Sequence, residues 1–598
     1  MVIQQYSVNQ HPIQTLITWV QSDEIAIPEI QRPFVWDSAK VRDFIDSLYH
    51  GYPVGYLIAW RNPNVRLKDG RTSWGKRILI DGQQRITAMM AALLGREIID
   101  SDYRRRRITI AFHPIEKKFE VTNSAIQKDK MWIPDISIVF APDFKILKTV
   151  DEYCQQNNFF NRDDIHESLE LLKGIINNPI GLIELNSNLD IDTVTEIFIR
   201  INSTGVVLSQ ADFAMSKIAV NEAYGGNTLR KAIDYFCHLA ANPDFYKQLI
   251  EVDKEFTASE YFPKLVWLKN EKDDLYDPSY TDMLRVAFTS QFRRGKLADL
   301  VALLSGRNFE TRAYEESIAE ESFSSLRNGV LNFMNENNFK HFVMILRSAG
   351  FIDSSLIRSQ NAVNFSYILY LTLHSQKIHP AITESLVRKW FVLSVLTSRY
   401  SSSPDSQFDY DIRQIYEQGA ETYIQNIINA EFSDAYWEIG LPQQMNSSFA
   451  SSPSFNVFLA SQVKMRDKGF LSRDILVHDL ITHKGDVHHL FPREYLKKNG
   501  LNKGMYNQIA NYVLAQNEIN IAIGAKSPQQ YFGEIFEQIH SGNLKYGGIN
   551  TIDELKANLE MNCVPTDIFN MNAQDYHTFL EKRRFLMAQK IRNYFSQL

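Results

Sequence analysis

One change of hydrophobic period constrains this chain more than any other feature. The run Arg77-Ile78-Leu79-Ile80-Asp81 reads as a buried strand, but past Gly82 the apolar residues Ile86, Met89, Met90, Leu93 and Leu94 fall at the i, i+3, i+4, i+7 and i+8 positions of a helix. Gly95 supplies the stop. Asp81-Gly82 therefore stands at a helix N-terminus, where free backbone N–H groups and the positive end of the dipole hold anions. Gly82 lets a ligand approach the backbone, Gln83 and Gln84 add amide donors, and Arg85 adds a planar fork suited to phosphate oxygens. Asp81 is placed to cap the helix or to hold a metal or a ribose hydroxyl. The plain alternative is a cap, a turn and a surface cation.

The rest of the chain supplies context. Its 598 residues are about four domains' worth at ~150 per domain. Hydrophobic residues at 44% and charged residues at 22% exclude a fibre or a disordered tail. The net charge is −6, so any nucleic acid must be met by a local basic patch. Cys154, Cys237 and Cys563 are too few and too scattered for a disulfide framework or a Cys-rich zinc site. The start of the chain has no secretion-signal pattern, and no apolar run reaches the roughly 18 residues of a membrane span, which together predict a soluble, cytoplasmic protein with no membrane partner.

Short β-like runs mix with helices over 25–218, and the section to about 444 is mainly helical, with aromatic-rich periods over 365–373 and 387–395. Ser- and Pro-rich stretches at 401–406 and 447–454 break the pattern, and the second places a boundary near 446. The basic run Arg104–Arg107 enters an alternating strand at 108–112, as a solvated end or a phosphate contact.

The sharpest chemistry lies at Gly485-Asp486-Val487-His488-His489-Leu490-Phe491-Pro492, followed by Asn511 and Asn520. Adjacent histidines on a strand point to opposite faces, so they serve different ends rather than chelate together. Phosphodiester cleavage needs a base to deprotonate water and a cation to stabilise the growing charge, and one imidazole suits each. An isolated His-His pair is otherwise an ordinary surface or core feature.

Three segments, Ile27-Pro28-Glu29-Ile30-Gln31-Arg32-Pro33-Phe34-Val35-Trp36-Asp37, Asp81-Gly82-Gln83-Gln84-Arg85 and Phe198-Ile199-Arg200-Ile201-Asn202-Ser203-Thr204-Gly205, together resemble the N-terminal domain of GmrSD-like type IV restriction enzymes, relatives of the ParB and sulfiredoxin fold. The likeness spans about the first 220 residues. It implies nucleotide binding and hydrolysis by Asp81, Gly82, Gln83, Gln84 and Arg85, with Gln31 and Arg32 as the upstream box; GTP is the first nucleotide to try. No Walker A sequence is present, so a P-loop ATPase is not supported. The histidine segment resembles the HNH, or ββα-metal, nuclease motif. That likeness implies His488 and Asn520 as ligands of Mg²⁺ or another divalent metal, His489 as general base and Asn511 as the residue that braces the loop. The stretch Ile521-Ala522-Ile523-Gly524-Ala525-Lys526-Ser527-Pro528 resembles the tail of the C-terminal nuclease domain of the same proteins, a likeness that implies Lys526 as a DNA phosphate contact. Trp390, Arg399-Tyr400-Ser401 and Asp411-Ile412-Arg413 also match the habit of that family.

Charge favours the same region: ten Lys/Arg stand against six Asp/Glu over 461–530. Lys497, Lys498 and Lys503, with Lys582, Arg583 and Arg584 near the C-terminus, are candidate phosphate contacts or a solvated face. The expected architecture is α+β and multidomain: a ParB/sulfiredoxin-like nucleotide domain over 1–225, a helical scaffold over 226–445 and an HNH nuclease over 446–598. The expected function is a nucleotide-regulated, metal-dependent DNA endonuclease or nickase restricting modified, or wrongly modified, phage DNA. A nucleotide-driven DNA-binding switch with a non-catalytic HNH fold and an RNA-cleaving toxin are the alternatives; oligomeric state stays open.

Overall fold

The structure, a computed structural model, describes residues 5–22, 24–26, 36–61, 77–99, 105–157, 161–186, 189, 193, 209–221, 223–483, 485 and 487–598. It is mixed α+β and mostly helical. Two compact units are present, Met1–Lys231 with Val301–Phe323 and Ala232–Leu300 with Ser324–Leu598. Among the described residues no helix is long and apolar enough to cross a membrane.

The first unit opens with β1 (Tyr6–Pro12), α1 (Ile13–Gln21), β2 (Ile25–Ala26), α2 (Ser38–Tyr49), β3 (Leu57–Arg61), β4 (Arg77–Asp81) and α3 (Gln83–Leu94). It continues through β5 (Ile98–Ile99), β6 (Arg105–Arg106), β7 (Ile110–His113), β8 (Lys118–Val121), α4 (Ile146–Asn157), α5 (Arg162–Gly174) and β9 (Pro179–Leu185). Five strands form one mixed sheet in the order β1-β9-β3-β4-β2, antiparallel at β1/β9 and β3/β4 and parallel at β9/β3 and β4/β2. Because strand side chains alternate, Leu57 and Ala59 join the main core with Leu79, Ile45, Ile86 and Met89, while Ile58 and Trp60 pack on the other face with Leu185.

The period change at 77–95 folds as its pattern demands. Ile86, Met89 and Leu93 are fully buried, Leu94 is exposed, and Gly95 ends α3 in the left-handed conformation. Between β3 and β4 the register shifts, Ile58 facing Asp81 but Ala59 facing Leu79. Ile80 is thus the extra residue of a bulge, a device that re-aims the strand end. The basic run departs from its expected place: Arg105 and Arg106 form β6, paired with β5, and the next strand starts only at Ile110. The Arg107 Nη2 donates to Asp135 Oδ2 at 2.6 Å and Ser137 Oγ at 3.2 Å, so local pairing rather than the following strand holds it.

Within the second unit, the aromatic-rich periods lie in the helices Gln360–Ser375 and Pro380–Leu396. The fully buried Asp411 carboxylate sits beneath them and accepts from Arg399 Nε (2.9 Å) and Nη2 (2.5 Å), Tyr400 Oη (2.7 Å), Tyr423 Oη (2.7 Å) and Gln407 Nε2 (2.9 Å). Trp390 Nε1 in turn donates to Tyr400 Oη. A buried charge survives only when paired and hydrogen-bonded, and here a guanidinium and three neutral donors do both.

Residues on both sides of position 446 lie in this second unit. The reason is the last helix, Tyr576–Ser596, which packs back across that position. Phe595 meets Phe432 and Trp437 at ring distances of 4.9 and 6.1 Å, and Tyr594 Oη donates to the Ala349 carbonyl at 2.6 Å.

Candidate functional site

At the β4–α3 junction the N-cap is Gly82, at φ +99°, with no side-chain cap. Asp81 is therefore not the cap. It is the last residue of β4, and its Oδ2 lies 3.4 Å from Arg85 Nη1 one turn on. The same Nη1 donates to the Tyr56 carbonyl at 2.8 Å. Arg85 is thereby aimed along the sheet end, against Gly55 and Gly82. A Cβ on Gly82 would stand 2.2 Å from Leu57 Cδ2, so Gly82 is required by close approach as well as by positive φ, whereas Gly55, at φ +88° with Arg85 Nη2 3.1 Å from its Cβ position, is favoured by its backbone conformation. Gln83 is buried, its Nε2 donating to the Leu79 carbonyl at 3.3 Å; Gln84 is partly exposed and has its own contacts. Gln31 and Arg32, with 198–205, lie outside the described residues. After that stretch, Ser209 caps Gln210–Val220 through a reciprocal box with Asp212.

The second constellation is built on a two-stranded antiparallel ladder, β10 (Val487–His489) against β11 (Tyr512–Leu514), followed by the helix Asn517–Ile523. His488 faces Val513 and is buried, with Nε2 3.2 Å from the Ala515 carbonyl. His489 faces Tyr512 and is half-buried, with Nε2 3.1 Å from Asn507 Oδ1 and the Tyr512 ring at 5.1 Å. The two imidazoles thus have separate surroundings, as strand alternation requires. Burial is the main cause that pushes the His489 imidazole below its ordinary value. The Asn507 hydrogen bond opposes that shift, while Arg493 and His488 add to it.

Asn511 is fully buried. Its Oδ1 accepts from Phe491 N at 2.8 Å, its Nδ2 donates to the Phe491 and Tyr506 carbonyls at 3.1 and 3.2 Å, and its own carbonyl accepts from Leu490 N at 2.9 Å. One amide so fastens the segment after the histidines to β11. Asn520 and Glu518 are exposed on the helix that follows.

The expected phosphate contacts divide. Lys497, Lys498 and Lys503 are exposed. Lys526 is not a free arm: its ammonium has three N–H donors, and they meet Ala522 O (2.9 Å), Glu534 Oε2 (2.9 Å) and Tyr546 Oη (2.6 Å). Lys582 pairs with Asp567, and Arg584 Nη1 donates to Asn446 Oδ1 at 2.9 Å. Arg583 is no surface cation at all, being 0% exposed.

Among the described residues no group of three His, Cys, Asp or Glu side chains is placed to hold a metal. Cys154 is half-buried and Cys237 and Cys563 are buried, all three as free thiols.

Residues 13–219 match the GmrSD restriction endonuclease N-terminal domain family. The matched span contains the Asp81–Arg85 junction and most of the sheet that carries it. Over 96% of its length the chain is also 20% identical to an uncharacterized protein, MJ0686, of Methanocaldococcus jannaschii, covering 97% of that protein.

Three parts of these sites have no signal in the sequence. Asn507, the partner of His489, sits in no motif. Tyr56 acts through its carbonyl, which every residue owns. Arg583 reads as one cation of a basic triplet and becomes distinct only when the terminal helix is folded against β11.

Proposed function

We propose that this protein is a nucleotide-regulated, metal-dependent DNA endonuclease or nickase that restricts modified, or wrongly modified, phage DNA. The match of residues 13–219 supports a restriction role for the N-terminal region. The observation that carries the nuclease reading is the ladder that sets His488 and His489 in different surroundings, with Asn511 clamping the following turn and Asn520 on the next helix.

In this reading His489 is the general base. Its depressed pKa keeps the ring neutral at pH 7. With Asn507 Oδ1 accepting, Nε2 carries the proton and Nδ1 the lone pair that takes a proton from water. A donor set of one imidazole and one amide oxygen suits a divalent cation that fills its shell from water and phosphate rather than a structural zinc. His488 and Asn520 would hold that ion, which would stabilise the charge growing on the leaving oxygen. At the other site, the cradle closed to any Cβ at Gly82, together with Arg85 held beside Asp81, fits a nucleotide phosphate, GTP being the first to try. Arg85 would face the charge that develops on that phosphate.

The test is a supercoiled-plasmid nicking assay with Mg²⁺, with and without GTP or ATP, on modified and unmodified DNA, with RNA offered in parallel. Nicking that needs a divalent metal and His489 and responds to nucleotide is the expected result. Cleavage of RNA alone would establish the toxin reading instead, and DNA binding without cleavage under any condition the switch reading.

A further inference from the structure

Arg583 is the most unusual ionisable group in the second unit. It is 0% exposed, and among the described residues it pairs with no carboxylate. Its Nη1 donates to the Ala510 and Tyr512 carbonyls, both at 2.8 Å, and its Nη2 to the Asn562 carbonyl at 3.1 Å. Its Nε is buried with no hydrogen-bond partner. Burial pulls its pKa down to about 10, so the side chain stays charged at neutral pH. Burying a cation without a counter-charge costs several kcal/mol even after relaxation, and an apolar side chain of the same length would fill the space without that cost. Filling space therefore does not account for an arginine here.

The two short contacts locate its action. Residues 510 and 512 flank Asn511. Ala510 and Asn511 end a short 3-10 turn, Ile509–Asn511, that leads into β11, and the carbonyls at this junction face opposite ways: that of Asn511 turns toward Leu490 N, while those of Ala510 and Tyr512 turn to Arg583. The two N–H bonds of Nη1, fixed in the guanidinium plane, reach one carbonyl each, and at the entry to β11 they take the place of a missing neighbour strand. The contacts then run on toward the histidines. The Asn511 side chain locks the Phe491 backbone on both its N–H and its carbonyl. Tyr512 stands opposite His489 in the ladder, with its ring against the imidazole.

We propose that Arg583 is the positioning residue of the histidine site: by holding the carbonyls on either side of Asn511 it sets the Asn511–Phe491 clamp, and through it the place of His489. The proposal rests on the nuclease reading above. It assigns Arg583 no contact with DNA or water.

The test uses the full-length protein with Arg583→Met, which keeps length and removes the prongs, Arg583→Lys, Asn511→Ala and the Arg583→Met/Asn511→Ala double variant. A misplacement of about 1 Å at a reacting group costs roughly 10²-fold. Arg583→Met is expected to lower kcat for nicking by that order with DNA Kd within about twofold, and to add no further loss once Asn511 is Ala. Multiplying losses, or a wild-type rate for Arg583→Met, would overturn the proposal. If circular dichroism shows Arg583→Met unfolded, Arg583→Lys carries the test: kcat is expected to fall at least about tenfold with KM unchanged, and a wild-type kcat overturns it. If the wild-type protein cuts nothing, the nuclease reading fails first. The positioning claim is then read from hydrogen exchange of peptides covering 487–492 and 510–514. Arg583→Met is expected to speed exchange in both, with no further gain once Asn511 is Ala, and unchanged exchange over 487–492 overturns the claim.

Discussion

Replacing Gly82 with Ala tests whether the β4–α3 junction is as tightly made as its geometry indicates. Two costs add. At φ +99° a residue with a Cβ loses about 1–2 kcal/mol from backbone strain alone. The new methyl would also stand 2.2 Å from Leu57 Cδ2, and Leu57 is fully buried on the central strand, so it can yield only by displacing its neighbours. Overpacking of this kind costs about 1–3 kcal/mol. The sum, about 2–5 kcal/mol, falls on the first unit. A whole-chain melting curve is a poor measure of it, because a chain of two units need not unfold in one step. Hydrogen exchange of peptides covering β3 and β4 reads the opening of this sheet directly. At about 1.4 kcal/mol per factor of ten, exchange there should accelerate by roughly 30-fold to 4,000-fold while peptides from Gln360–Ser375 stay unchanged. Combining Gly82→Ala with Leu57→Ala should cost less than the two single changes added, since the methyl then has room. An acceleration under about threefold, or strict additivity of the two substitutions, would show that the junction has slack and that Gly82 is not required by its contacts.

Other expectations follow from the remaining geometry. His489→Ala should lower nicking by about 10²–10⁴-fold with DNA affinity retained; equal activity would remove His489 as the base. Because the His489 pKa is depressed, the acid limb of wild-type kcat should be centred below pH 6.5, activity being lost as pH falls through the shifted value; a limb centred above pH 6.5 would contradict the shift. Asp411→Ala leaves the Arg399 guanidinium, 10% exposed, without its carboxylate, and should destabilise the second unit by about 3–5 kcal/mol in denaturant titration, whereas a loss under about 1 kcal/mol would make the cluster ornamental. Lys497→Ala with Lys498→Ala should weaken DNA binding alike on all sequences and flatten the slope of log K against log salt by about 0.9 for each phosphate no longer neutralised, and an unchanged slope would show that neither lysine meets the backbone.

Much of the molecule was legible in the chain because it is written in local periods. Ile86, Met89 and Leu93 announce α3, and Gly95 its end, since helix spacing and left-handed caps are properties of a few consecutive residues. The divergence of His488 and His489 follows equally from the two-residue period of a strand. Nothing local could show that Gly82, rather than Asp81, caps that helix, because Asp81 is held in β4 by pairing opposite Ile58, on a strand 23 residues earlier. Nor could it separate Arg583 from Lys582 and Arg584, three adjacent cations of like composition. Their fates diverge because a helix turns about 100° per residue, which leaves Lys582 on an exposed ion pair and sends Arg583 into the core against β11. Backbone and side-chain periods are set within the sequence; which carbonyl, methyl or edge a given side chain meets depends on chain segments about 20 to 100 residues away, and only the folded core brings them together.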